Sequence, residues 1–479
     1  MSVCCSSDEA IGVDLAVIGA GSAGFSAALT AAEQGARVAL IGHGMIGGTC
    51  VNVGCVNVGC VPSKTLIRAT EYLQQARTEA RFSGIQTEGR VTDWSALVGQ
   101  KNELVTRLRQ AKYADLLPEY PTITYLEGAA GLADGGVTVN GALIKAPRII
   151  IASGTRPGIP TIAGIDEINY LTSSTALDLE ALPRSLLVLG GGFVGVELAQ
   201  MFARAGVEVT MICRSRLLPV AEPEISDALS RCLRNEGIGL VCGVAYQFCR
   251  TARSGVEVGI LHDGKQRVLT SEQLLVATGR RPNIEHLGLA EAGIRQSRCG
   301  SIETDDRMRT SRPGIYAAGD VTGRDRFVYM AAYGAKLAAK NALNGDGLVY
   351  DNSAMPEVVF TDPQVASVGQ TAASAQAAGH NVATSVLTMD HVPRAIAARD
   401  TRGLIKLVAD ADTRKLLGAH ILAHDGADSI QTAVMAIKAS MTVEQLGETI
   451  FPYLTTVEGL KLAAQTFNKD VKKLSCCAG

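Results

Sequence analysis

Two glycine-rich turns constrain the fold of this chain more than any other feature. Each has the pattern Gly-x-Gly-x-x-Gly and follows a short apolar run, residues 13–18 in the first case and 185–189 in the second. A helical segment and another apolar strand follow both turns. Two such strand–helix–strand units predict an α/β chain with two doubly wound dinucleotide-binding sheets. The glycines are Gly19, Gly21 and Gly24 in the first turn and Gly190, Gly192 and Gly195 in the second.

The residues that follow each strand–helix–strand unit indicate which dinucleotide the unit binds. Such glycines let backbone N–H groups approach a pyrophosphate at a helix N-terminus. After the second unit come Arg214 and Arg216 without a carboxylate, which favours the 2′-phosphate of NADPH over NADH. The alternative is that both arginines are solvated loop charges. After the first unit, Gly42 and His43 stand where an acidic residue is usual for ribose binding.

A third segment points to a flavin. The apolar run within residues 310–320 ends in Gly319 and Asp320, which places a carboxylate at the carboxyl end of a strand. There it can hold a ribityl hydroxyl. Two dinucleotide sites in one chain therefore suggest electron transfer from a nicotinamide to FAD.

Composition excludes several other classes of protein. Lys plus Arg (45) nearly balances Asp plus Glu (47), which argues against a binder of nucleic acid or anionic membranes. Twelve cysteines in 479 residues are no disulfide scaffold. The N-terminal sequence lacks a secretory pattern, so we expect a reducing, cytoplasmic setting. The uncharged stretch 15–32 is interpreted as a strand, a turn and a helix rather than a membrane span.

A cysteine cluster lies between the first turn and the next helix. Residues 51–55 and 56–60 are both Val-Asn-Val-Gly-Cys, so the cluster holds Cys50, Cys55 and Cys60. Cysteines spaced in this way beside a flavin predict a redox dithiol. Lys64 follows Cys60 by four residues and therefore shares its helical face, where an ammonium lowers the pKa of a thiol.

These motifs, together with residues 277–283, resemble the pyridine nucleotide–disulfide oxidoreductases, which include glutathione reductase and dihydrolipoamide dehydrogenase. The resemblance covers nearly the whole chain. It implies a homodimer in which the second cysteine of the dithiol faces the flavin and the first exchanges with substrate. It also implies a Lys64–Glu197 pair beside the flavin. The FAD contacts that it implies are Gly24, Gly44, Thr49, Lys64, Ala130, Asp320 and Val328.

Two features resemble the mercury-reducing branch of that family. Thiol-producing members carry a histidine as proton donor near the C-terminus, but residues 451–458 here are Phe-Pro-Tyr-Leu-Thr-Thr-Val-Glu and no histidine follows His424. The last four residues are Cys476, Cys477, Ala478 and Gly479, and the vicinal cysteine pair is a good ligand for a soft metal. The alternative is a frayed tail with incidental cysteines.

The resemblance to this branch implies that the tail pair passes Hg(II) to the dithiol of the partner subunit, with Cys55 and Cys60 as the receiving ligands. It also implies that Tyr113 and Tyr453 line the site, although Tyr113 alone equally fits an ordinary half-buried helix tyrosine.

The duplication leaves the redox pair open. Five extra residues cannot enter a packed helix without turning its face, since five residues advance ~500°. We expect a Cys55–Cys60 pair with Cys50 in a displaced loop, because Pro62, Ser63 and Lys64 fix the helix of Cys60. The alternatives are a Cys50–Cys55 pair and an inactive protein.

The expected organisation follows from these assignments. A leader (1–11) precedes the first part of the FAD domain (12–155), the NADPH domain (156–284), the second part of the FAD domain (285–350) and an α+β dimerisation domain with the Cys-Cys tail (351–479). The predicted function is NADPH-dependent reduction of Hg(II), without nucleic-acid or membrane partners. The alternatives are reduction of low-molecular-weight disulfides, and soft-metal binding or redox sensing without turnover.

Overall fold

The computed structural model describes residues 12–44, 46–48, 59–78 and 81–471. They form two compact units. The first comprises the described residues up to Thr65 together with Ala96–Gly158 and Gly279–Asp351. The second comprises Leu66–Ser95, Ile159–Thr278 and the described residues from Asn352 onward.

The strands and helices are labelled in chain order. The strands are β1 (Leu15–Ile18), β2 (Val38–Gly42), β3 (Ile123–Glu127), β4 (Ala130–Ala133), β5 (Gly136–Val139), β6 (Ala142–Lys145), β7 (Ile149–Ile151), β8 (Thr155–Pro157), β9 (Leu171–Thr172), β10 (Ser185–Leu189), β11 (Glu208–Cys213), β12 (Gly239–Cys242), β13 (Ala245–Ala252), β14 (Gly255–His262), β15 (Lys265–Ser271), β16 (Gln273–Val276), β17 (Arg280–Pro282), β18 (Ile315–Ala317), β19 (Pro356–Val359), β20 (Gln364–Gly369), β21 (Val382–Thr388), β22 (Leu404–Asp410) and β23 (Leu416–Ala423). The helices are α1 (Ser22–Ala32), α2 (Cys60–Arg77), α3 (Trp94–Arg109), α4 (Ser173–Ala176), α5 (Phe193–Ala205), α6 (Pro223–Asn235), α7 (Val328–Asn344), α8 (Ala372–Ala377), α9 (Pro393–Ala397), α10 (Gly426–Lys438), α11 (Val443–Glu448) and α12 (Glu458–Gln465).

The first unit is built on a parallel sheet with the strand order β18-β7-β1-β2-β3. Every residue of β1 and β2 is buried, as expected for parallel strands that are covered on both faces. The antiparallel sheet β4-β5-β6 packs beside them, and both contribute to one apolar core. The sheet therefore presents the carboxyl ends of β1 and β2 at one edge, where the first glycine-rich turn begins.

The second unit contains another parallel sheet, β12-β11-β10-β16-β9. The antiparallel sheet β13-β14-β15 shares a core with it. A further antiparallel sheet, β19-β20-β23-β22-β21, forms a separate core with α10, α11 and α12. The second glycine-rich turn joins β10 to α5.

The predicted α/β class is confirmed, and the differences lie at the ends of elements. β10 spans residues 185–189 as predicted. The sequence pattern predicts that the next helix begins at Val196, whereas α5 begins at Phe193 because Gly192 occupies the N-cap position. The uncharged stretch 15–32 is divided between β1 and α1. Among the described residues, no helix is both long and apolar enough to cross a membrane.

Candidate functional site

The first glycine-rich turn needs its outer glycines for close backbone packing. Gly19 has φ +114°, and a Cβ built on it would lie 2.3 Å from the carbonyl oxygen of Ala152. A Cβ on Gly24 would lie 1.7 Å from the carbonyl oxygen of Gly19. The middle glycine, Gly21, faces open space, since the nearest atom to its Cβ position is Gly48 Cα at 3.9 Å. The turn therefore leaves room above the N-terminus of α1, where backbone N–H groups attract a phosphate.

A cleft of about 610 Å³ opens over this turn. Three predicted contacts, Gly19, Gly21 and Ala130, line it. The buried hydroxyl of Ser153, another lining residue, has no hydrogen-bond partner among the described residues. A cleft with backbone amides at one end and a spare hydroxyl within it fits a dinucleotide such as FAD.

A tyrosine packs against the last residue of β2. A Cβ on Gly42 would lie 2.7 Å from the hydroxyl oxygen of Tyr125 and 2.8 Å from the Cβ of Ala20. Burial and the charge of Glu127 raise the pKa of Tyr125, so its hydroxyl is neutral at pH 7. Tyr125 and Ala20 therefore occupy the space that an acidic side chain at position 42 would need.

Asp320 lies directly behind the cleft. It is fully buried, and Thr155, which lines the cleft, donates from Oγ1 to Asp320 Oδ2 at 2.9 Å. Arg280 Nε in turn donates to Thr155 Oγ1 at 2.7 Å and lies 3.9 Å from Asp320 Oδ2. Asn283 donates to the Ser153 carbonyl at 3.0 Å. Arg280 and Asn283 thus hold the cleft wall, a role that the resemblance to the family did not specify.

Of the other predicted FAD contacts, Gly44 and Val328 are not among the residues that line the cleft. Gly44 is exposed with φ +80°, and Val328 is the half-buried first residue of α7. Thr49 lies outside the described residues. Sequence reasoning missed Ala129, Gly154 and Arg156, which line the cleft. The sequence could have indicated these residues only through their position, because they follow β3 and β7 at the edge of the sheet where the first glycine-rich turn lies.

The second turn repeats the arrangement of the first. A Cβ on Gly190 (φ +115°) would lie 2.2 Å from the Ala277 carbonyl oxygen, and one on Gly195 would lie 2.3 Å from the Gly190 carbonyl oxygen. Gly192 again has open space. Both predicted dinucleotide turns therefore have a glycine that faces open space between two glycines that pack against the backbone.

The two arginines after β11 differ in environment. Arg214 is exposed. Arg216 is half-buried and donates to the carbonyl oxygens of Pro219, at 3.1 Å, and Ala221, at 2.6 Å. Arg216 therefore holds its own loop, and Arg214 is the more exposed of the two arginines.

Of the predicted thiols, Cys60 is the one that the structure describes. It begins α2 and is half-buried, and Ser63 Oγ donates to the Gly59 carbonyl at 2.7 Å. Lys64 lies one turn later in the same helix. Cys50, Cys55, Cys476 and Cys477 lie outside the described residues, so the pairing and the metal delivery stay predictions.

The two predicted tyrosines have contrasting surroundings. Tyr113 is buried, with its ring 4.8 Å from that of Phe25 in an edge-on arrangement and its hydroxyl 3.5 Å from Ser22 Oγ. Both contacts are residues of α1, so Tyr113 packs beside the first turn. Tyr453, in the second unit, is 53% exposed.

Glu197 is buried in α5 of the second unit. Its Oε1 accepts a hydrogen bond from the backbone N–H of Phe360 at 2.8 Å. Lys64 belongs to the first unit, so the predicted Lys64–Glu197 pair stays a prediction.

Comparison with known proteins shows extensive similarity. Residues 13–339 match the family "Pyridine nucleotide-disulphide oxidoreductase", and residues 355–464 match its dimerisation domain. The chain is 46% identical to a mercuric reductase of Lysinibacillus sphaericus over 97% of its length and 84% of that protein. It is 46% identical to that of Streptomyces lividans over 98% of this chain and 99% of that one. Among solved structures, the HOCl-induced flavoprotein disulfide reductase RclA from Escherichia coli has a TM-score of 0.82 at 31% identity, covering 95% of this chain and all of that one.

Proposed function

The chain belongs to the pyridine nucleotide–disulphide oxidoreductase family, and on this premise we propose that it is the enzyme that reduces Hg(II) to Hg(0) with NADPH. The family implies FAD and NADPH as cofactors and a homodimer. The observation that carries the choice of substrate is the likeness to mercuric reductases, at 41–46% identity over at least 97% of this chain. In the overall reaction, NADPH and Hg²⁺ give NADP⁺, H⁺ and Hg(0).

The first unit holds FAD in this proposal. The amides of the turn from Gly19 to Gly24 bind the pyrophosphate at the N-terminus of α1. Asp320, whose Oδ2 accepts from Thr155 in the wall of the cleft, is the carboxylate that would hold a ribityl hydroxyl. Bound flavin supplies the two-electron transfer between the nicotinamide and the dithiol. Tyr113 fixes the position of α1 through Phe25 and Ser22 and so keeps the turn in place.

The second unit holds NADPH at the turn from Gly190 to Gly195. Arg214 binds the 2′-phosphate, and Arg216 positions the loop through its bonds to the Pro219 and Ala221 carbonyls. A guanidinium suits a phosphate because it is always charged and donates in a planar fork. The exposed position of Arg214 supports this assignment.

The thiol chemistry centres on the start of α2. The N-terminus of this 18-residue helix carries a partial positive charge, which stabilises the thiolate of Cys60. The ammonium of Lys64 adds to the effect. A soft thiolate is a preferred ligand for a soft metal ion, so Cys60 and Cys55 bind Hg(II), which Cys476 and Cys477 deliver from the partner subunit.

The absent histidine separates this reaction from disulfide reduction. A thiol that leaves a reduced disulfide needs a proton, whereas Hg(II) leaving one thiol pair for another does not. Residues 451–458 contain no histidine, and their titratable side chains are Tyr453 and Glu458. This difference favours metal reduction over disulfide reduction.

One observation favours disulfide reduction as a second candidate: the likeness to RclA, a flavoprotein disulfide reductase. The two candidates differ in the electron acceptor. NADPH oxidation by the holoenzyme should therefore be followed with HgCl₂ in excess thiol, with oxidised glutathione and with lipoamide. Hg(II)-dependent oxidation supports the proposal, and oxidation driven by a disulfide alone overturns it.

A further inference from the structure

Two cysteines that lie 29 residues apart in sequence come together beneath the second glycine-rich turn. Cys213 ends β11 and Cys242 ends β12, and they are opposite residues in the parallel ladder. Their Sγ atoms are 2.9 Å apart, with the Cys213 thiol as donor. The proposed mercury chemistry uses neither of them.

We propose that Cys213 and Cys242 form a second dithiol site, which hydroperoxides oxidise to a disulfide and which thereby weakens dinucleotide binding at the adjacent turn. The coupling to the dinucleotide rests on the proposed NADPH site, whereas the disulfide itself does not.

The backbone geometry suits a disulfide better than a metal. Opposite residues on neighbouring strands lie ~4.8 Å apart, within the ~4.4–6.8 Å between Cα atoms that disulfides span. The sulfurs need to approach by roughly 0.9 Å to reach the ~2.05 Å bond length. A tetrahedral metal with ~2.3 Å bonds to sulfur instead needs the sulfurs ~3.8 Å apart, so they must separate. The described residues also offer no group of three or more His, Cys, Asp and Glu side chains for a metal.

The two thiols have complementary reactivity. The hydrogen bond from Cys213 lowers the pKa of Cys242 to about 7, and the nearby Arg234 acts in the same direction. The same hydrogen bond and burial raise the pKa of Cys213. Cys242 is half-buried, whereas Cys213 is buried. Cys242 is therefore the thiolate that meets a small oxidant, and Cys213 is the partner thiol held against it.

The oxidation balances in two steps. The Cys242 thiolate attacks one oxygen of H₂O₂, the O–O bond breaks, and with one proton the products are a sulfenic acid and water. The Cys213 sulfur then attacks the sulfenic sulfur, and the S–O bond breaks. The Cys213 proton leaves with the hydroxide as a second water, so two thiols and one H₂O₂ give one disulfide and two waters.

The link to the dinucleotide is structural. A Cβ on Gly191, inside the second turn, would lie 3.1 Å from Cys213 Cβ and 3.4 Å from its Sγ. Cys213 Sγ also lies 3.2 Å from the carbonyl oxygen of Ser215, which lies between Arg214 and Arg216, so its single S–H is shared between this oxygen and Cys242 Sγ. A disulfide has no S–H to donate, so oxidation removes this bond and draws the Cys213 sulfur towards β12. The arginine loop therefore loses a hydrogen bond that positions it, and the Cys213 sulfur that packs against Gly191 in the turn moves.

The test maps the disulfide in the full-length holoenzyme. After H₂O₂ treatment and alkylation of free thiols, tryptic peptides 205–214 and 235–250 should be found linked, and dithiothreitol should separate them. The second peptide also contains Cys249, a buried thiol whose pKa burial raises to about 11. The matched control Cys249→Ser should keep the link, and Cys242→Ser should lose it. Dimedone should label Cys242 in the Cys213→Ser variant, where no partner thiol can capture the sulfenic acid.

Dinucleotide binding is measured separately with NADP⁺, which avoids turnover. Loss of one hydrogen bond predicts a roughly two- to tenfold weaker affinity after oxidation of the wild type. Cys242→Ser should show no such change after the same treatment. If the linked peptide forms but the holoenzyme does not reduce Hg(II), the second dithiol site is upheld and the proposed function fails. Absence of the link, capture of Hg(II) by the pair without disulfide formation, or unchanged NADP⁺ affinity of the linked protein overturns the proposal.

Discussion

Substituting Gly42 with alanine tests how the adenosine end of the FAD cleft is built. The added Cβ would lie 2.7 Å from the Tyr125 hydroxyl oxygen and 2.8 Å from the Ala20 Cβ. Nonbonded heavy atoms prefer ~3.5–4.0 Å between carbons, so the methyl group is short of room by about 0.7 Å on the Ala20 side. Gly42 has no positive φ, so this crowding is the main cost of the substitution.

The surroundings limit how far the crowding can relax. The Gly42 carbonyl accepts from Gly128 N at 2.8 Å, and the Ile41 carbonyl accepts from Gly19 N at 2.7 Å. Ala20 lines the cleft, so its displacement moves the wall that the cofactor contacts. Overpacking of this kind costs ~1–3 kcal/mol. If this overpacking destabilises the FAD-bound protein and not the apoprotein, the FAD dissociation constant rises about five- to 150-fold.

The assay is titration of apoprotein with FAD by flavin fluorescence, with thermal unfolding of the apoprotein alongside. Gly12→Ala is the matched control, because a Cβ at Gly12 meets nothing within 4 Å and should leave both measurements unchanged. Tyr125→Phe removes the closest atom and should recover part of the loss in the double variant. Wild-type stability and FAD affinity in Gly42→Ala would show that Tyr125 and Ala20 do not fill this space.

Three further outcomes follow from other parts of the chain. Gly24→Ala should purify with little flavin, because the new Cβ would lie 1.7 Å from a backbone oxygen, and the flavin-to-protein ratio measures this. Burial alone would raise the pKa of Asp400, but the hydrogen bond and charge of Arg402 outweigh it and lower the pKa to about 2. The carboxylate of Asp400 therefore stabilises the fold above pH ~4. About 1–2 kcal/mol of the free energy of unfolding, allowing for solvent screening, is lost as the pH falls towards 2. Urea titrations of the wild type across this range should show this loss, and those of Asp400→Asn should not. The double variant Cys476→Ala, Cys477→Ala should lose Hg(II)-dependent turnover at limiting external thiol and regain it in excess thiol; equal turnover in both conditions removes the tail from the reaction.

The elements of the fold follow from local sequence to a large extent. Alternation of apolar runs, glycine turns and helical segments predicted both parallel sheets because each signal lies within about 30 consecutive residues. The ends of helices were less accurate. The helical pattern after the first turn extends to Gln34, whereas α1 ends at Ala32, and Gly35, with φ +81°, donates to the Ala32 carbonyl at 2.8 Å and closes the last turn.

Contacts between distant strands could not be predicted from spacing. Cys213 and Cys242 share no motif, and they meet because β11 and β12 pair in parallel across α6. Tyr125 reaches Gly42 for a similar reason, since β2 and β3 are neighbours although 80 residues separate them. Sheet order decides such contacts, and one sequence does not specify it. Conversely, the motif residues Gly19, Gly21, Gly190 and Gly192 lie where their spacing predicted, because each turn is local.

The amount of elemental mercury released per NADPH oxidised tests the central claim most directly. The holoenzyme, supplied with HgCl₂ and excess thiol in a closed vessel, should release one volatile Hg(0) for each NADPH consumed, since both are two-electron couples. Oxidised glutathione in place of HgCl₂ should leave NADPH intact. NADPH consumption without volatile mercury, or equal consumption with the disulfide, would contradict the account.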